Sequence, residues 1–87
     1  MASRGTGPTP LQRELGDRIR TRRVELDLTQ AALAFRSGIH YSYIGSLESG
    51  GRNPSIDLVA RLARSLETDL GSLLEGLQDL EGRIPAP

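Results

Sequence analysis

Between Thr29 and Glu48 the chain has room for two short helices and one tight turn. Thr29 is a good N-cap, and Ala31-Ala32-Leu33-Ala34 has strong helix propensity. Ser37-Gly38 stops that run, because Gly38 can take the left-handed backbone a tight turn requires. A second short helix is expected from about Tyr41 to Glu48, with Ile44 and Leu47 one turn apart on its inner face. Two helices this short bury little apolar surface by themselves, so the flanking segments must supply the rest of a core.

Those segments are helical in pattern too. Leu11, Leu15, Ile19 and Leu26 keep roughly helical spacing, interleaved with Arg13, Arg18, Arg20, Arg22 and Arg23. Gly50-Gly51-Arg52-Asn53-Pro54 has the composition of a loop. Ser55 is placed to cap a fourth helix, with Asp57 near its positive end and Val59, Leu62, Ala63 and Leu66 as its buried stripe. Asp69 is placed to cap a fifth, carrying Leu70, Leu73, Leu74 and Leu77. No stretch alternates as a strand does, and nothing repeats. The fold class expected is all-α, a compact five-helix bundle. Residues 1–10, rich in Gly and Pro, are expected to form a flexible arm in which only Arg4 is charged; 11–80 form the domain and 81–87 a frayed tail.

At 87 residues the chain accommodates one domain. It has no cysteine, which removes disulfides, thiolate metal sites and a cysteine nucleophile. No apolar run approaches the ~20 residues that span a bilayer, and no signal peptide is visible, so a cytoplasmic protein is expected. Catalysis is not expected. The single histidine, His40, has no partner at metal spacing, no Gly-rich phosphate loop follows a strand, and no paired acids suggest a pocket. No cofactor and no metal are implied. Net charge is zero but unevenly spread: residues 1–64 carry ten Arg and six acids (10 − 6 = +4), residues 65–87 one Arg and five acids (1 − 5 = −4). A basic front and an acidic end suit an anionic partner on one side only, since phosphate binding depends on the local field.

Thr29 to Glu48 also meets the demands of a unit that inserts a helix into the DNA major groove. Ala34 is small where two helices must cross, Gly38 makes the turn, and Ile44 and Leu47 face inward. Tyr41, Ser42 and Ser46 leave a polar outer face able to reach base edges. In order and spacing, several stretches resemble the Cro and phage-repressor-like (XRE) helix-turn-helix family. They are Leu15-Gly16-Asp17-Arg18-Ile19-Arg20, Leu28-Thr29-Gln30-Ala31-Ala32-Leu33-Ala34, Gly38-Ile39, Tyr43-Ile44, Leu47-Glu48-Ser49-Gly50 and Arg52-Asn53-Pro54-Ser55. The resemblance spans about Leu15 to Leu74. Leu33-Ala34-Phe35-Arg36-Ser37-Gly38 with Tyr43-Ile44-Gly45 further resembles small restriction–modification controller proteins.

The resemblance implies a repressor-type fold and transcription regulation on double-stranded DNA. It implies base contacts from His40, Tyr41, Ser42 and Ser46, and phosphate contacts from Thr29, Gln30, Arg23, Tyr43, Arg52 and Asn53. Arg23 and Glu48 match an internal ion pair, with Arg23 also near phosphate. Gln30 has a second reading as a solvated residue beside a cap. The chain departs from the family pattern in having His40 where Ser or Thr is frequent, Ala31 and Ala32 where Glu is frequent, and Phe35 where the position is usually polar. Phe35 is open between covering a core edge and meeting a partner. Gly45 is open between close groove approach and a bland surface position. The outer face of the reading helix lacks Arg, Asn and Gln, whose bidentate base contacts give about 1–3 kcal/mol of discrimination each, so modest direct readout is expected, with DNA shape adding to it.

Leu70, Leu73, Leu74, Leu77 and Leu80, extended by Ile84, exceed what a small core can use and are expected to form a homodimer interface. Two copies would then meet palindromic half-sites about one helical turn, ~34 Å, apart. The rival expectation is a protein-interaction module, such as an antitoxin, on the same fold; it would have no need of Gln30, Arg52 and Asn53 as a phosphate set.

Overall fold

The computed structural model describes residues 7–81. Arg4 and most of the expected arm, like Ile84 and the expected frayed end from 82 onward, lie outside the described residues. α1 (Pro10–Glu25) begins one residue before the expected boundary. Thr9 and Gln12 cap it reciprocally: the Thr9 hydroxyl accepts the Gln12 N–H at 3.1 Å, and Gln12 Oε1 accepts the Thr9 N–H at 2.8 Å. Pro10 occupies the first turn, where its missing N–H costs nothing. α2 (Gln30–Ser37) is capped by Thr29 and stopped by Gly38 at φ 74°. α3 (Tyr41–Glu48) follows after three residues, Gly38 to His40, and α4 (Ile56–Ser65) starts behind the Ser55 cap.

The expected fifth helix divides. α5 (Leu70–Leu74), capped by Asp69, stops at Glu75; Gly76 takes φ 79°, and a four-residue turn of helix, α6 (Gln78–Glu81), follows. The class is all-α, and no strand occurs among the described residues.

Ile19, Leu33, Ile44, Leu47, Leu62 and Leu66 are fully buried, one or two from each of α1 to α4 and its cap, with Leu15, Ile39, Val59, Ala63 and Leu73 completing the cluster. Gly16 sets how closely α1 crosses α3. A β-carbon there would run into the Leu47 carbonyl oxygen and stand 2.8 Å from that of Glu48. The core thus supports α3 along its whole inner face.

Three arginines that gave the front of the chain its basic appearance serve the fold instead. Arg22 Nε donates to the Leu66 carbonyl at 2.9 Å and its Nη2 to that of Glu67 at 3.1 Å. Arg36 Nη1 donates to the Ser65 carbonyl at 3.0 Å, and Arg18 Nη1 to that of Leu73 at 2.9 Å. The Ser65, Leu66 and Leu73 carbonyls close the C-terminal ends of α4 and α5, where intrahelical donors are lacking and the helix dipole is negative, and that of Glu67 lies just beyond α4.

Candidate nucleic-acid interface

α3 divides cleanly by face. Ile44, Leu47 and Glu48 are buried, whereas Tyr41 and Ser42 are exposed and Gly45 and Ser46 half-buried on the opposite side. All four expected base-reading residues therefore lie at or near the surface: Tyr41, Ser42 and Ser46 on the outer face, and His40 exposed just before the helix. His40 turns out to be the N-cap. Its Nδ1 accepts the Ser42 backbone N–H at 3.2 Å, the bond a Ser or Thr hydroxyl would otherwise accept.

Behind this face lies a buried polar cluster centred on Glu48. Arg23 Nε and Nη2 donate to the two Glu48 oxygens at 2.6 and 2.9 Å, and Arg23 Nη1 donates to the Leu28 carbonyl at 2.8 Å. Hydrogen bonding to Glu48 raises the Arg23 pKa, burial opposes it, and the charge of Glu48 adds to it. The expected ion pair is present. The expected phosphate contact by Arg23 is corrected, because its side chain is only 12 % exposed and its fork is committed inward.

Gln30 joins the same cluster: Nε2 donates to Glu48 Oε1 at 3.0 Å. A carboxylate can only accept, so this bond fixes which end of the amide faces Glu48. The second amide hydrogen remains to donate to a phosphate. The amide lies beside Gly45, where an added β-carbon would be 3.6 Å from Gln30 Oε1, an ordinary contact. Packing does not require the glycine, and its lack of a side chain keeps this part of the surface low.

On the other flank, the Arg52 guanidinium sits 4.8 Å from the centroid of the Tyr43 ring, held over it by cation–π attraction. The loop carrying it is fixed by the Gly51 N–H donating to the Ser46 carbonyl at 2.8 Å, and by Gly50 at φ 86°, which lies close against Arg13. Thr29 is exposed; its hydroxyl accepts the Ala32 N–H at 3.0 Å and keeps its own proton to donate. Asn53 is exposed and lies beside Gln12 at the start of α1. A short polar helix is thus bracketed by Thr29 and Gln30 on one side and Tyr43–Arg52 on the other.

A family model described as helix-turn-helix (HTH_3) matches residues 19–73, from mid-α1 through α5. The chain belongs to the helix-turn-helix family. Control protein C.SmaI of Serratia marcescens is 37 % identical over 70 residues, covering 78 % of this chain and 83 % of that one. Among solved structures, the restriction-modification controller protein C.AhdI from Aeromonas hydrophila superposes with a TM-score of 0.69 at 37 % identity, covering 71 % of this chain and 94 % of that chain. SinR, a master regulator for biofilm formation solved in complex with DNA, gives a TM-score of 0.67 at 31 % identity, covering 70 % and 98 % of the two chains.

In this helix-turn-helix protein one position left open by the sequence is decided, and one expectation is corrected. Phe35 does not cover a core edge; it is 91 % exposed on α2. Of the expected interface leucines, Leu73 and Leu77 are buried within the protomer. The helix break at Gly76 turns Leu80 back beside Pro10 and Arg13 of α1. Leu70 and Leu74 stay half-buried. Leu11, Pro54, Ile56 and Leu74 form an apolar groove at the surface, with Ile56 59 % exposed. Ile56 escaped the sequence analysis because it precedes the stripe of α4, at the first position after the cap. Among the described residues no helix is long and apolar enough to cross a membrane, and no cluster of His, Asp and Glu has metal-binding geometry.

Proposed function

We propose that this DNA-binding transcriptional regulator acts as a homodimer on a two-fold symmetric operator, each protomer laying α3 in the major groove, and that it has no catalytic activity. The carrying observation is the polar outer face of α3, flanked by the Gln30 amide and the Arg52–Tyr43 pair. The DNA complex of SinR and the controller role of C.AhdI support the reading, and the latter favours control of a restriction–modification system. Phosphate contacts would position the protein, while the few polar groups on α3 and the shape of the DNA would select sequence. Pairing of protomers is assigned to the groove of Leu11, Ile56 and Leu74, because an apolar patch rimmed by polar residues marks an association site. A cytoplasmic location belongs to the same reading.

A salt titration of duplex binding tests it. Affinity should fall steeply as salt rises, and Arg52→Ala should reduce the log–log slope by about one unit. A salt-independent affinity, or none for any duplex at low ionic strength, would remove the reading. Phe35 favours an additional protein contact, which would survive high salt.

A further inference from the structure

The start of α3 fixes the polarity of an exposed side chain. A backbone N–H can only donate, so the bond from Ser42 N–H to His40 Nδ1 requires a lone pair on Nδ1 and places the ring proton on Nε2. The Ser42 hydroxyl lies 2.9 Å from the same Nδ1. With Nδ1 an acceptor, that hydroxyl is the donor, and its proton is directed at the ring. The hydroxyl of serine normally rotates to donate or accept as its partner demands, which makes it a poor discriminator of bases. Here the hydroxyl shares the single Nδ1 lone pair with the backbone N–H, which biases its rotation so that Oγ turns lone pairs outward. Both residues are exposed at the end of α3 that leads into the proposed groove.

We propose that Ser42, polarised by His40, reads an exocyclic amino group, that of adenine or cytosine, on the strand facing α3. Guanine and thymine present acceptors at the corresponding major-groove edge and would meet the lone pairs of Oγ unfavourably. His40 is a positioning residue in this scheme: it caps the helix and sets the direction of its neighbour's hydrogen bond. The proposal rests on the reading that α3 enters the major groove.

Selection of bound sites from a random duplex pool tests it, run with the full chain and with Ser42→Ala, His40→Ala and His40→Asn. The wild-type chain should show one position per half-site enriched in A or C over G or T by roughly fivefold to tenfold, the worth of one neutral hydrogen bond. Ser42→Ala should abolish that preference. His40→Ala should broaden it to all four bases, which loss of a helix cap alone would not do. His40→Asn should retain it, since Asn Oδ1 can accept both bonds. The only histidine in the chain also gives an unambiguous nitrogen NMR spectrum. In the neutral ring, Nδ1 should resonate as the pyridine-like and Nε2 as the pyrrole-like nitrogen. A G or T preference at the Ser42-dependent position, an unchanged preference in His40→Ala, or a protonated Nδ1 would each overturn the proposal while leaving the operator reading intact. Failure to enrich any sequence would overturn both.

Discussion

Glu48 shows why a carboxylate is kept inside a core this small. It is buried, yet it ties α1 to α3 through Arg23 and holds the Gln30 amide of α2 beside the reading face. Breaking such a pair leaves a partly buried cation without its partner. Glu48→Ala should therefore lower unfolding free energy by about 1–3 kcal/mol in urea titrations, whereas Glu48→Gln, which still accepts hydrogen bonds, should cost less. A stability loss below that of an exposed pair would show the cluster to be ornamental. The pair is not a pH switch at neutrality. Arg23 is raised in the folded state by hydrogen bonding to Glu48, so its contribution is complete below its unfolded pKa and is lost only as pH climbs through the folded value, in strong alkali. The partnership of Arg23 and Glu48 was legible through family resemblance, but its completeness was not. Spacing cannot tell that the third arm of the guanidinium reaches the Leu28 carbonyl and withdraws Arg23 from phosphate.

At the level of helices, two glycines with similar sequence appearance have opposite physical roles. Gly16 lets α1 rest on the end of α3, and Gly45 leaves an open place on the outer face of α3. Gly16→Ala should destabilise by about 1–3 kcal/mol, because the collision is with backbone that cannot swing aside. Gly45→Ala should instead stabilise by roughly 0.5–1 kcal/mol, the usual gain from replacing a helical glycine, while weakening DNA binding if the low surface is needed for approach. Thermal denaturation of both variants with a parallel binding isotherm decides the matter; a stability loss in Gly45→Ala would contradict the assignment. Four of the helices were legible to within a residue or two, because Thr29, Gly38 and Ser55 punctuate the chain and the apolar stripes are regular. The last one was not. Leu70 to Leu77 has flawless helical spacing, but Gly76 adopts a left-handed backbone and the chain folds back on α1, a tertiary preference that periodicity does not record.

For the whole molecule, that fold-back decides where a second copy can sit. Burial of Leu73 and Leu77 moves the proposed contact from a continuous leucine stripe to the groove around Ile56 and Leu74. Ile56→Glu should shift sedimentation from dimer to monomer at micromolar concentration with little change in helicity, since Ile56 is exposed in the protomer. A monomeric wild-type chain at tens of micromolar would eliminate the dimer. The arginines carry a different lesson about scale. Arg18, Arg22 and Arg36 hold carbonyls at the ends of α4 and α5, so the charge excess of the first 64 residues overstates what a phosphate chain could feel. With those three guanidiniums turned onto carbonyls, residence on arbitrary stretches of a chromosome would be shorter than the charge count suggests, and fewer molecules would be held there away from the operator.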